Sequence, residues 1–190
     1  MTKYHTLNVD ELASHLRADL DEVQRLYVPL RHDQLCWRPS SARWSVGQCL
    51  HHLVVTDNRY LERFGPSLEK ARRRGLRHDG PHKGGPFGRW FTGQVGPRIK
   101  LKLKAPRSIA PSASPEIPAD IAGVFLENSR RLLAFIDESR GFDLHRARIG
   151  SPVAPIVRLR VIDALRAVVA HDRRHLNQAR VVTQEPGFPA

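Results

Sequence analysis

The chain has 190 residues, of which 41% are apolar and 26% are charged, and 31 Lys and Arg against 19 Asp and Glu give a formal net charge of +12. These fractions are ordinary for a globular protein, so they exclude a disordered or collagen-like chain, and the length favours one domain over residues 1–190. The polar opening and the lack of any run of about 18 apolar residues predict neither a signal peptide nor a membrane span, so we expect a cytoplasmic protein.

Two amphipathic helices are predicted in the first part of the chain, because apolar residues recur there at steps of three or four. The first covers residues 9–30, with Asn8 or Asp10 as its N-cap. The second follows Ser45, its predicted N-cap, and continues to about residue 73, where Gly75 ends it.

A long connection is predicted over residues 75–117, where Gly-Gly-Pro, Gly-Pro and Ala-Pro steps disfavour regular helix. Connections of this length are typical of binding loops, lids and disordered inserts. Within it, residues 101–106 (LKLKAP) predict a short extended piece. Phe87, Trp90 and Phe91 are predicted to fold back as a lid that shields a bound substrate from water.

The positive charge is concentrated around this connection. Between Arg63 and Arg107 there are thirteen basic residues and only two acidic ones, so the rest of the chain is close to neutral. Because cations that neutralise phosphates dominate the affinity for nucleic acids, the basic 63–107 segment predicts a nucleic-acid-binding loop as an alternative function. The simpler interpretation is a solvated surface that keeps the protein soluble or contacts an acidic partner.

Two further helices are predicted after the connection. One follows residue 118 and is closed by Gly141, and the last covers residues 159–182, with an irregular stretch between them (GFDLHRARIGSPVAP). Four amphipathic helices with one long crossover between the second and the third predict an all-α protein. The architecture is a four-helix bundle whose interior can hold a metal site.

A histidine pair on the last helix is the first candidate for that site. His171 and His175 are four residues apart, so both side chains lie on one face of the helix and can reach one cation. The motif is not that of the zincin proteases, because the helix reads HDRRH and has no Glu beside the first histidine to act as a base.

The second helix offers a third ligand in the sequence GQCLHHLVVTD. Either His51 or His52 could complete the set, and neither lies at the centre of the apolar stripe, so periodicity does not choose between them. The alternative is that both are partly exposed polar residues.

Two segments resemble the DinB-like superfamily of metal-binding four-helix bundles, which is related to bacillithiol and mycothiol S-transferases. RWSVGQCLHHLVVTD, residues 43–57, is similar to the tryptophan-led second helix of the family, in which a histidine followed by an apolar residue is a ligand. HDRRHLNQAR, residues 171–180, is similar to the C-terminal helix with its two histidines. The spacing from Trp44 places His52, rather than His51, at the ligand position of the family.

The resemblance implies one divalent ion held by His52, His171 and His175, with the remaining positions open to water or substrate. Three neutral histidines suit zinc, nickel, iron or copper, and the resemblance favours zinc or nickel, with iron as a further candidate. Asp57 is a candidate to orient a ligand ring by accepting a hydrogen bond, the alternative being a capping or solvated acid. A homodimer is also expected, since dimers are frequent in the family.

The predicted function is therefore that of a divalent-metal-binding protein, with a metal-dependent S-transferase or hydrolase as the candidate enzyme. A cationic centre lowers the pKa of a thiol or a water, which yields the nucleophile near neutral pH. The expected partner is a small-molecule substrate, with a low-molecular-weight thiol as the candidate. A non-catalytic bundle, tied together by its metal, is a further alternative.

Four other residues near these motifs carry structural predictions. Asp172 is predicted to pair with Arg166 or another nearby basic residue, and Arg173 and Arg174 are predicted to lie on a solvated helix face. Trp44 is predicted to pack in the core.

Overall fold

The structure is a computed structural model that describes residues 2–97, 116–152 and 156–190. These residues contain six α-helices, a 3-10 helix at Tyr4–Thr6 and one two-stranded antiparallel sheet. The helices are α1 (Val9–Leu26), α2 (His32–Cys36), α3 (Val46–Arg73), α4 (Pro86–Val95), α5 (Ile121–Glu138) and α6 (Val161–Thr183), and the strands are β1 (Arg148–Gly150) and β2 (Arg158–Arg160). The predicted all-α fold is confirmed, with the small sheet as an addition.

Four long helices form the bundle. Helix α3 packs against α5 and α6, and α1 packs against the same two helices. The buried apolar side chains fall into two clusters, one around Phe64 and Leu165 and the other around Leu50, Phe125 and Leu176. Apolar side chains of these two clusters therefore line the interior of the bundle between α3 and α6.

The predicted helix starts are confirmed by reciprocal caps. The Asn8 side chain accepts a hydrogen bond from the Glu11 backbone N–H, and the Glu11 carboxylate accepts one from the Asn8 backbone N–H. Ser45 and Gln48 form the same arrangement at the start of α3. Gly75 follows α3 with a φ of 59°, a left-handed conformation that glycine adopts without strain.

The first helix is shorter than predicted. It ends at Leu26, although the apolar pattern continues to Leu30. Pro29 is the reason, because a proline disfavours helical backbone in the residue before it and cannot donate a helical hydrogen bond itself.

Helix α4 lies where regular helix was not predicted. Its first residue is Pro86, a position at which proline favours a helix because the N–H it lacks would have no partner there. The preceding Gly85 donates its backbone N–H to Asp163 Oδ2 on α6, at 2.9 Å. A Cβ on Gly88 would lie 2.1 Å from Asp163 Cγ, so glycine lets α4 approach α6 closely. The extended piece predicted at residues 101–106 lies outside the described residues.

Strand β1 replaces part of the second stretch predicted to be irregular. Strand β2 includes residues 159 and 160, at which the last helix was predicted to begin, and the helix begins at Val161 instead. The strands pair in the register Arg148 with Arg160, Ile149 with Leu159 and Gly150 with Arg158. Ile149 and Leu159 are buried in the core, which leaves the arginines on the outer face of the two strands.

None of the helices in the described ranges has both the length and the apolar character that crossing a membrane requires. The organisation of residues 1–190 as one domain stays a prediction.

Candidate metal centre

Helices α3 and α6 bring three histidines together. His52 on α3 and His171 and His175 on α6 each place a ring nitrogen within 4.8 Å of the other two. His52 and His175 are 2% and 5% exposed, and His171 is half-buried. His51 is half-buried too, but it takes no part in the cluster, so the structure brings His52 and not its neighbour towards α6.

The geometry of the three rings fits a metal ion. His52 Nε2 and His171 Nε2 are 3.2 Å apart. Two nitrogen ligands of a tetrahedral ion with bonds of about 2.0 to 2.1 Å lie about 3.3 Å from each other, so this pair already has the separation that coordination requires. The ring of His175 is centred 4.6 Å from that of His171 and 4.7 Å from that of His52, which completes a triangle.

The two histidines of α6 are held neutral. Burial lowers the pKa of His171 well below its usual value, and the neighbouring His175, His52 and Arg174 lower it further. Burial likewise lowers the pKa of His175 to about 3, with His52 and Arg174 adding to the effect. A neutral imidazole keeps a lone pair on one ring nitrogen, so these side chains can bind a cation without first losing a proton.

A glutamine orients one of the candidate ligands. His175 Nδ1 lies 3.1 Å from Gln178 Oε1, one turn further along α6. When Nδ1–H donates to this amide oxygen, the lone pair is left on Nε2, which is the arrangement that metal-binding histidines adopt.

Trp44, which precedes α3, covers the same two rings. It stacks on His175 with the ring planes inclined by 16° and the centroids 5.3 Å apart, and it meets His52 edge-on at 5.1 Å. Trp44 also packs against the cluster of Leu50, Phe125 and Leu176, so the predicted core packing is confirmed. Its contact with the histidines was not predicted.

Asp57 and Asp172 form a buried carboxyl pair beside the histidines. Both are at most 2% exposed, and their oxygens receive no hydrogen bond from any other group in the described part of the chain. Burial raises the pKa of Asp57 to about 8, and it raises the pKa of Asp172 together with the charge of Asp57. Two buried acids next to each other repel as carboxylates, which favours the protonated form of at least one of them.

The pair changes two predictions. Asp172 does not pair with Arg166, whose nearest carboxylate is that of Asp163 at 3.9 Å, one turn away on the same helix. Asp57 has the carboxyl of Asp172 as its neighbour, and neither of its oxygens accepts a hydrogen bond from a described histidine. Its role in orienting a ligand ring stays a prediction.

Arg173 was wrongly predicted to be solvated. Its guanidinium contacts Asp19 Oδ1 and Glu22 Oε2 on α1, both at 2.7 Å, and the two carboxylates are almost fully buried. Arg180 contacts the same oxygen of Glu22. This network joins α1 to the helix that carries two of the histidines.

Arg174 is half-buried and lies close enough to the histidines to lower the pKa of both His171 and His175. Among the described residues it has no carboxylate partner, unlike Arg173 beside it. A cation in this position repels a second cation, so an anion beside it would lower the electrostatic free energy of the centre.

The aromatic residues of α4 divide between the core and the surface. Phe91 packs against the cluster around Phe64, whereas Phe87 and Trp90 are 46% and 57% exposed. The lid and the nucleic-acid-binding loop both stay predictions, and part of the basic 63–107 segment, residues 98–107, lies outside the described ranges.

Comparison with known proteins gives one match. A family model described as the DinB superfamily matches residues 15–179, a span that contains Trp44 and all three histidines of the cluster. No curated protein and no solved structure matches the chain.

Proposed function

The chain belongs to the DinB superfamily, and from this premise we propose that it is a metal-dependent enzyme that transfers a low-molecular-weight thiol to an electrophilic small molecule. We propose His52, His171 and His175 as the ligands of one divalent ion, zinc or nickel in the first place and iron as a further candidate. The separation of 3.2 Å between His52 Nε2 and His171 Nε2 carries the proposal, because it is the distance that two ligands of one tetrahedral ion have.

A divalent ion bound there would supply Lewis acidity, which lowers the pKa of a thiol or a water beside it. The protein supplies the rest. Gln178 selects the tautomer of His175, and Trp44 restricts the orientation of the same ring.

Arg174 favours an anionic substrate. Its charge acts on His171 and His175, and it has no carboxylate partner in the described ranges, so it is available to bind a carboxylate or a thiolate of an incoming molecule. Low-molecular-weight thiols that carry carboxylates meet this requirement, and a neutral substrate does not. This charge is the reason to prefer thiol transfer over hydrolysis, in which the nucleophile is water.

The first experiment tests the ligands. We expect elemental analysis of the purified protein to find one zinc, nickel or iron per chain, and we expect His52→Ala and His171→Ala to lose it. His51→Ala is the matched control, because His51 is the adjacent residue on α3 and lies outside the cluster. Stoichiometric metal in both His52→Ala and His171→Ala would show that the ion is bound elsewhere.

The second experiment separates an enzyme from a metal-stabilised scaffold. The metal-loaded protein is assayed with a low-molecular-weight thiol and an electrophilic acceptor, and turnover is expected to disappear on chelation and return on adding the metal. If chelation only unfolds the protein, and no thiol conjugation or hydrolysis occurs with metal bound, the non-catalytic alternative is correct. A cytoplasmic location and a homodimer stay predictions.

A further inference from the structure

A cavity lies between the end of α3 and the two strands. Its volume is about 80 Å³. Five basic side chains and one hydroxyl line it: Lys70, Arg74, Arg146, Arg148, Arg158 and Ser67.

The fold brings these residues together from two parts of the chain. Ser67 and Lys70 lie on the last two turns of α3 and Arg74 is its C-cap, so steps of three and four residues place them on one face. Ile149 and Leu159, which follow Arg148 and Arg158 along the two strands, point into the core. Because successive side chains of a strand point to opposite faces, Arg148 and Arg158 share the outer face. The helix and the strands therefore form two basic walls, with the buried Ala71 and Ala147 between them.

The positive charge in this cavity is not neutralised by the described protein. No Asp or Glu is among the residues that line it, and none of its five basic side chains forms an ion pair with a described carboxylate. The strands add a further cost, since Arg148 stands directly opposite Arg160 and like charges in that position destabilise a sheet. A bound anion would relieve the repulsion among the five basic side chains of the cavity.

The cavity is separate from the histidine cluster. Ser67 follows His52 by fifteen residues on the same helix, which is about 22 Å at about 1.5 Å per residue. A group bound here cannot reach the histidines, so the cavity is a site of its own.

We propose that this cavity binds the phosphate group of a phosphorylated small molecule. Its volume of about 80 Å³ admits one small tetrahedral oxyanion. Guanidinium groups bind phosphate oxygens in pairs, and several cations around one small volume match a dianion better than a singly charged carboxylate. The ligand would continue from the open side of the cavity into solvent.

The test uses inorganic phosphate as the probe. Isothermal titration at low ionic strength is expected to show saturable binding that weakens about tenfold or more in Arg148→Gln/Arg158→Gln, in which two charge-assisted hydrogen bonds are removed. Lys70→Gln, on the opposite wall, is expected to weaken it as well. Arg25→Gln is the matched control, because it removes one positive charge from an exposed position on α1 and should leave binding unchanged. The thermal unfolding midpoint checks that each variant is folded.

Three results would overturn the proposal. The first is the absence of saturable phosphate binding. The second is an equal loss of binding in Arg25→Gln, which would show that the effect depends only on net charge. The third comes from a single-stranded oligonucleotide without a terminal phosphate. If it binds through Arg148 and Arg158 while inorganic phosphate does not, the surface contacts a nucleic-acid backbone and the cavity does not select a phosphate group.

Discussion

Trp44 lies flat against His175, with an angle of 16° between the ring planes and 5.3 Å between their centroids. The indole of Trp44, on the segment before α3, therefore limits rotation of the His175 ring, which is proposed to bind the metal. Contacts of this kind hold a ligand in the orientation that coordination needs, so their loss lowers metal affinity even though the ligand itself is intact.

We predict that Trp44→Ala weakens metal binding by about tenfold or more, because the ring of His175 loses its stacking partner. Trp44→Phe should retain most of the affinity, since a smaller aromatic ring can still stack. Competition with a chromophoric chelator measures the affinity. Trp37→Phe is the control, since Trp37 contacts Phe188 and not the histidines; a similar loss there would mean that the effect is global.

A second prediction concerns the ion pairs between α1 and α6. Above about pH 7, where Asp19 is ionised, Arg173→Gln should lower the free energy of unfolding by about 3 kcal/mol, because Asp19 and Glu22 are buried and Asp19 loses its cation. Arg130→Gln breaks an exposed pair with Glu127 and should cost about 1 kcal/mol or less. Chemical denaturation of both variants in the metal-free state makes the comparison. Equal losses would show that the buried network contributes no more than a surface pair.

The third prediction is a pH dependence centred on Asp19. Burial raises its pKa to about 7 in the folded protein, against 3.8 for the free side chain, and this outweighs the attraction of Arg173 and Arg180. Glu22, Asp172 and Tyr4 also face it. Between these two pKa values the folded state keeps a proton that the unfolded state has lost, so the contribution of Asp19 to stability is full below about pH 4 and falls as the pH rises to about 7.

The measurement compares the wild type with Asp19→Asn. The difference in the free energy of unfolding, wild type minus variant, should fall between about pH 4 and pH 7, with a slope of at most about 1.4 kcal/mol per pH unit. A difference that rises with pH over this range would mean that the ion pair with Arg173 dominates over burial.

The fourth prediction tests how closely α4 approaches α6. Gly88→Ala would place a methyl group within 2.4 Å of Asp163 Cβ, so we expect it to destabilise the protein by about 1 to 3 kcal/mol. Gly93→Ala, on the same helix, has no atom within 4 Å of the new methyl and should stabilise the protein by up to about 1 kcal/mol through helix propensity. Thermal or chemical unfolding distinguishes them. Opposite signs support the packing described, and two stabilised variants would contradict it.

The four long helices were predictable because their apolar periodicity and their caps are local signals. Helix α4 was not, because its Gly and Pro residues predict against helix, whereas Pro86 stands at the one position where proline favours it. The position of α4 also depends on a contact between distant parts of the chain. Gly85 donates a hydrogen bond to Asp163, which lies 78 residues away in the sequence.

The candidate site was predictable in its residues but not in its surroundings. Periodicity did not choose between His51 and His52, because α3 packs against both α5 and α6 and is buried over a wide face. The resemblance to the family selected His52, which is the histidine that meets His171. The carboxyl pair of Asp57 and Asp172 could not be foreseen, since a buried acid without a basic partner exists only once the helices have packed.

The ligands proposed for the metal come from distant parts of the chain, since His52 and His171 are 119 residues apart. Closing a loop of that length costs about 4 kcal/mol of chain entropy in addition to a constant. His171 and His175 can meet an ion as soon as one helical turn exists, but the third imidazole arrives only when the two halves of the bundle have docked. Tight binding of the ion would thus be a late event in refolding. A bound ion would also lower the unfolding rate, because it would cross-link the two halves of the bundle.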